Sequence, residues 1–288
     1  MASLRDIKRR IKSVSNTSQI TKAMQMVASA KMRRAQELAL KGRNYIASLA
    51  NVFSHLQDVI AESSSPLMQV KEQGKSLVIV VNTDRGLCGG LNSNLFRDVM
   101  ERASKGADFV GIGSKLNPQF ARANCNLLAS FTVSDSFSEV DIKPIFDFAR
   151  KAYLEDGYSE VIVFYQEFIN VMVQRPRMRQ VLPITEDELL AIASIDDQPD
   201  TENAQFVLEP SPAAVLESIL PLYLFNLLTQ IVLEGKASEQ SARMVAMKGA
   251  TENAKSLIDS LTLDYNKARQ TQITNELLEI TTATMAME

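Results

Sequence analysis

Apolar residues recur at alternating intervals of three and four at both ends of the chain. Near the start they fall at Leu4, Ile7, Ile11 and Val14, then at Ala28, Met32, Ala35 and Ala39, and again at Ile46, Leu49, Phe53, Leu56 and Ile60. Near the end they fall at Met244, Met247, Ala250, Ala254, Leu257, Leu261, Tyr265 and Ala268. After a break near Gln272 the series continues with Ile273, Leu277, Ile280 and Thr284. This is the stripe of a coiled coil. No proline interrupts residues 2–65 or 222–288, and their only glycines are Gly42, Gly235 and Gly249. Sixty-odd residues of helix span roughly 90 Å, far more than the three or four turns of an ordinary globular helix.

The first stripe weakens between Ser15 and Gln25. Ser18, Thr21 and Gln25 fall on it there, and the apolar set moves to Ile20, Met24 and Val27. Many seam positions are alanine, so a partner helix must come close. The two end helices are expected to pair antiparallel, with Val27 beside Leu257 to Leu261, if the middle returns the chain to its start. A plain helix bundle would need further long amphipathic helices, and the pattern offers none of comparable length.

In the middle the period changes. Residues 77–82, 109–113 and 160–165 read as buried strands by their β-branched runs. Helical patterns separate them at about residues 92–103, 114–123 and 138–154. Strands alternating with helices imply a mostly parallel sheet. Residues 171–182 read as a strand or hairpin arm, 196–202 as an acidic loop and 206–208 as a short edge strand. Pro210 and Pro212 sit where the last helix begins, a favourable first-turn position. The fold class is therefore α/β, divided into an N-terminal coiled-coil helix over 1–65, a central α/β domain over 75–208 and a C-terminal coiled-coil helix over 210–288 that pairs with the first.

The 288 residues allow one or two domains. The net charge of −3 hides an asymmetry. Residues 1–43 carry eleven Lys and Arg against Asp6 and Glu37, while no basic residue follows Arg269. Such a split points to a charged partner. No apolar run approaches the eighteen or more residues of a membrane span, and the basic N-terminus lacks the apolar core of a signal peptide. The expected location is the cytosol, with docking on a membrane complex left open. Cys88 and Cys125 stand alone, without Cys-x-x-Cys spacing, and read as buried reduced thiols rather than as metal or redox groups. His55 is the single histidine, too little for a metal site or a Ser/His dyad.

Thr83-Asp-Arg-Gly-Leu-Cys-Gly-Gly-Leu-Asn92 follows the first strand and precedes a helix. Gly-rich turns in that position can cradle phosphate on backbone amides, but this one fits neither nucleotide-binding spacing. A tight structural turn is the favoured reading. Gly111 and Gly113 form a weaker motif. Glu167, Glu186 and Glu188 show no pairing in the sequence that would suggest acid/base work. The basic N-terminal face could meet nucleic acid, but it lacks interleaved aromatics and its apolar stripe is committed to a helix.

Three blocks carry a resemblance to a known family. The first joins Leu4-Arg-Asp-Ile-Lys-Arg-Arg-Ile-Lys-Ser-Val14 with the run from Asn16 through Thr-Lys-Ala-Met to Gln36. The second is the decamer Thr83 to Asn92. The third runs from Ala237-Ser-Glu-Gln-Ser-Ala-Arg-Met-Val-Ala-Met-Lys248 to Asn253 and continues over residues 263–270. In these blocks the chain resembles, end to end, the gamma subunit of F-type ATP synthase.

The resemblance implies an antiparallel coiled coil of the two termini and a Rossmann-like domain. It implies a central shaft inside a ring of three alpha and three beta subunits, with the globular end beside the epsilon subunit and the membrane c ring. Proton-driven rotation of that ring would turn the shaft, and the shaft would drive the catalytic beta subunits through their conformations. The chain itself would hold no catalytic residue, cofactor or metal, and would bind no nucleic acid. It would meet the membrane only through the complex, at the cytoplasmic face of the bacterial plasma membrane. Lys22 and Met24 match the segment that faces the beta lever. Arg243 and Lys248 match the block near a beta loop, and Phe206 to Glu209 matches the stretch near epsilon and the c ring. Met24 reads equally as coiled-coil core.

The chain departs from the family pattern at Gln19, Asn275, Leu278 and the tail over 281–288. The paired-cysteine insertion of chloroplast relatives is missing, so thiol control of that type is not expected. Two readings from other classes remain: a nucleotide enzyme with helical arms, which would bind nucleotide tightly, and a basic coiled-coil nucleic-acid binder, which would bind DNA with steep salt dependence.

Overall fold

The computed structural model describes residues 4–56, 59–60, 65–134, 137–193 and 208–285. The elements in order are α1 (Leu4–Ser54), β1 (Ser76–Val81), α2 (Leu91–Arg102), β2 (Asp108–Ile112), α3 (Asn117–Arg122), β3 (Asn126–Phe131), α4 (Glu139–Leu154), β4 (Glu160–Phe168), β5 (Gln174–Leu182), α5 (Glu186–Ala193) and α6 (Pro212–Met285). The chain divides into two compact units, Met1–Ala28 with Arg243–Glu288, and Ser29–Ala242. Both boundaries fall inside the long end helices.

In the larger unit the five strands run in the order β3-β2-β1-β4-β5. All neighbours are parallel except β4 and β5, which form an antiparallel hairpin. The alternating residues of β1 divide the core. Leu77, Ile79 and Val81 face a cluster containing Ile142, Ile145 and Ala149 of α4, with Leu220, Leu224, Leu227 and Ile231 of α6. Val78 and Val80 face a second cluster with Leu95 and Val99 of α2 and Phe120 of α3. With both faces covered, β1 is buried throughout, which explains its uninterrupted apolar run.

The structure corrects several expectations. The first helix ends at Ser54 rather than Ser65. Its last turn tightens, with His55 N donating to Val52 O at 3.2 Å and Leu56 N to Phe53 O at 3.0 Å. Leu56 and Ile60 are buried in the sheet core instead of extending a coiled-coil stripe. The last helix, by contrast, starts at Pro212 as expected, and it carries Pro221 inside it. Complete burial of Leu220, Tyr223 and Leu224 around that proline offsets an interior-proline cost of about 3 kcal/mol. The same helix contains an 18-residue window with mean hydropathy 1.6, long and apolar enough to cross a membrane by composition, and half of that window is buried in this chain. The strand β3 and the helix α5 had no counterpart in the sequence reading. The edge strand expected at 206–208 and the loop at 196–202 fall wholly or largely outside the described residues; Leu208 lies outside any strand.

Candidate functional site

In the smaller unit two helical segments pair, residues 4–28 of α1 and 243–285 of α6. The two hydroxyls of Thr21 and Thr251 lie 2.7 Å apart, both residues being buried. They fix the register. Counting up α1 for each step down α6 sets Leu4, Ile7, Ile11, Val14, Ser18, Thr21, Gln25 and Ala28 against Ala268, Tyr265, Leu261, Ile258, Ala254, Thr251, Met247 and Met244. Every one of these positions is buried or half-buried. Both series alternate threes and fours without a break, so one seam runs through the polar layer.

That layer overturns the expected shift of the stripe. Ser18, Thr21 and Gln25 stay in the seam, whereas Ile20 and Val27 are 60% and 55% exposed. Across the seam Thr251 and Ile258 take the places expected for Ala250 and Leu257, and Leu257 is 43% exposed. The proposed neighbourhood of Val27 and Leu257 to Leu261 is also corrected: in this register those leucines lie level with Ile11 to Ser15, roughly 15–25 Å along the coil from Val27 at 1.5 Å per residue.

Lys22 is exposed, Met24 half-buried, Lys248 exposed and Arg243 only 7% exposed. The register brings Met24 level with Lys248 and Lys22 level with Ala250, while Arg243 lies about five residues further along. Two pairs of residues from opposite ends of the chain thus occupy about 10 Å of one coil. The two exposed lysines present charge outward, whereas Arg243 is largely spent within the chain. Beyond this level α6 continues past the described start of α1. Residues 271–283 are exposed, including Ile273, Leu277 and Ile280. The break inferred near Gln272 is therefore the end of the pairing, and the helix itself runs on to Met285. Glu209 belongs to the other unit and is exposed, next to Pro210. Phe206 lies outside the described residues.

The glycine-rich decamer is bound up with itself. Thr83 Oγ1 donates to Arg85 O at 2.9 Å and accepts from Asn92 Nδ2 at 2.7 Å. Cys88 is buried inside the turn, and Gly89 takes a φ of 61°. These bonds belong to a structural turn. Cys125, expected to be buried, is only partly so. Two of the three carboxylates that seemed alone are paired: Glu167 with Arg177, and Glu188 with Arg179, both of β5. Nothing in the sequence spacing could reveal these partners, because antiparallel pairing of β4 and β5 creates the first and the return of α5 creates the second.

The family model described as ATP synthase matches residues 3–287. A protein named ATP synthase gamma chain from Akkermansia muciniphila is 59% identical, and the match covers 100% of both chains. The chain belongs to the ATP synthase gamma chain family. A gamma chain from Methylacidiphilum infernorum is 41% identical, again over 100% of both chains. Among solved structures, a chain of the Euglena gracilis mitochondrial ATP synthase OSCP/F1/c-ring assembly matches 99% of this chain and 94% of its own length, with TM-score 0.70 and 19% identity. A chain of the Tetrahymena thermophila mitochondrial ATP synthase central stalk and c-ring matches 80% of this gamma chain and 99% of its own length, with TM-score 0.57 and 22% identity. These two likenesses establish the shared fold of sheet and long end helices.

Proposed function

We propose that this chain is the central rotor shaft of an F-type ATP synthase. It couples proton-driven rotation of a membrane c ring to the conformational cycle of catalytic beta subunits, and it carries no catalytic residue itself. The observation that carries this reading is the match to gamma chains over the entire length, and the pairing of the chain's two ends in one coil supports it. Its partners are three alpha and three beta subunits around one copy of this chain, with the epsilon subunit and the c ring at the globular end. It lies at the cytoplasmic face of the bacterial plasma membrane and meets the lipid only through the complex.

The mechanism follows from asymmetry. A two-helix rod has no threefold symmetry, so it cannot touch three beta subunits alike. A contact biases a conformational equilibrium only by the difference in its energy between the two states. Lys22 and Lys248 face outward at one level of the coil, and acidic groups of a beta lever there would be attracted without tight packing. Such attraction is graded and screened over about 8–10 Å at physiological salt, which suits a contact broken on every turn. Arg243 contributes by holding the coil at that level as much as by any outward bond. Glu209, with Phe206 three residues before it in sequence, is assigned to the epsilon and c-ring side. The test is recovery with a tagged beta subunit: a complex of three alpha, three beta and one of this chain is expected, and failure to recover the chain from cells making all the subunits contradicts the assignment.

A further inference from the structure

The larger unit has the topology of a sheet that binds ligands. Its strand order reverses between β1 and β4, and in open α/β sheets the crevice at the carboxyl ends of two such strands is the usual ligand site. Here the chain's own helix occupies it. Gly235 of α6 passes so close to β1 that a Cβ on it would lie 2.8 Å from Val81 Cγ1. Ser238 Oγ donates to Gln166 O near the end of β4 at 2.8 Å, and Ser241 Oγ donates to Val171 O in the β4–β5 turn at 2.7 Å.

Lys236 grips the other half of the sheet. Its side chain is 11% exposed. Its Nζ donates to Val133 O, just after β3, at 3.0 Å. It also lies 3.8 Å from Asp84, in the loop after β1, and 3.8 Å from Glu239 of its own helix. At 3.6 residues per turn, Lys236 and Ser238 project about 200° apart around α6. The helix is therefore held on two sides by contacts to opposite halves of the sheet. A pair of restraints so placed resists rolling of α6 about its own axis, which neither could resist well alone.

We propose that Lys236 is a positioning residue for torque, holding residues 235–241 of α6 against the sheet of the larger unit so that this part of the helix does not roll in the switch-point crevice. This rests on the rotor reading above. Lys236→Met keeps the aliphatic stem but leaves Asp84, Glu239 and Val133 O without their cation. In complexes with alpha and beta subunits, stalled with nucleotide, a probe on the globular unit should show angular variance about twofold wider once one of two restraints is lost. Hydrogen-exchange protection of amides 235–241 should fall about tenfold, the loss of one charge-assisted hydrogen bond. Lys236→Arg, which keeps donor and charge, should recover most of both. A lower melting temperature with unchanged angular variance would leave a merely structural lysine and overturns the proposal. If Lys236→Met does not assemble, Asp84→Asn is read in its place, with a smaller widening expected and no widening counting against the clamp. If the unaltered chain neither recovers alpha and beta nor rotates, the rotor reading fails instead. The exchange measurement on the free chain then still decides whether Lys236 holds the helix.

Discussion

The Thr21–Thr251 pair makes the register of the coil measurable. Two hydroxyl hydrogens serve three contacts: 2.7 Å between the threonines, 2.8 Å from Thr251 Oγ1 to Met247 O, and 3.1 Å from Thr21 Oγ1 to Ser18 O. The two shortest select a chain in which Thr21 donates to Thr251 and Thr251 donates to Met247 O. Thr21→Val removes the bond between helices and leaves the Thr251 hydrogen satisfied, at a cost of about 1 kcal/mol. Thr251→Val sends the Thr21 hydrogen back to Ser18 O, at a similar cost. The double variant strands no donor and closes the layer with methyl groups, so it should be near neutral. The expected coupling is therefore about 2 kcal/mol, the sum of the two single costs that the double variant does not show. The chain divides into two compact units, so native-state hydrogen exchange at amides of the seam, which reads local opening, is the better assay than one global melt. Each single variant should speed exchange there about fivefold, and the double should return toward the parent. Additive behaviour, with the double about twenty-five-fold faster, would refute both the bond and the register built on it.

Two glycines should answer differently to alanine. At Gly235 the new methyl meets the Val81 side chain of a buried strand, so Gly235→Ala should destabilise by about 1–3 kcal/mol in denaturant titration. At Gly42 it meets only the end of the Gln230 side chain, which can move, and the helix-propensity gain of up to about 1 kcal/mol should leave Gly42→Ala neutral or more stable. Asp108 supplies a pH test. Burial would raise its carboxyl, but hydrogen bonds from Asn126 at 2.7 Å and Tyr158 at 2.9 Å, with Lys75 nearby, hold it below its ordinary 3.8. A depressed folded value adds stability that is full above that ordinary value and is lost as pH falls through the folded one. Unfolding titrations should therefore lose stability on the acid side, and Asp108→Asn should flatten that limb. In the assembled complex, replacing Lys22 and Lys248 together by Glu should slow coupled turnover more at low than at high salt; a salt-independent effect would count against an electrostatic contact.

The coil was legible because two heptad series leave an unmistakable period. Its polar layer was misread because Ile20 and Val27 look like seam residues by hydrophobicity, yet register is set by all the paired layers together, and Thr21 satisfies its hydroxyl across the seam. The central strands β1, β2 and β4 declared themselves through buried β-branched runs. The edge strand β3 did not: its residues alternate between exposed and half-buried, and an edge needs no continuous apolar run. The outward lysines could be named from the family motif, but their common level could not be known before the register. Lys236 carried no local signal beyond Glu239 one turn along its helix. Its partners on the sheet side lie about 100 and 150 residues away in sequence, and only the return of α6 over the sheet brings them together.

The central claim is that this chain turns inside a ring of beta subunits. The most direct measurement is a single covalent tether from Lys22→Cys to a cysteine on the facing beta lever, in complexes whose rotation is followed by a probe on the globular unit. The account predicts steady one-way rotation under ATP before the tether closes, arrest of rotation and coupled turnover once it forms, and recovery of both on reduction. Full coupled turnover with the tether intact would contradict it.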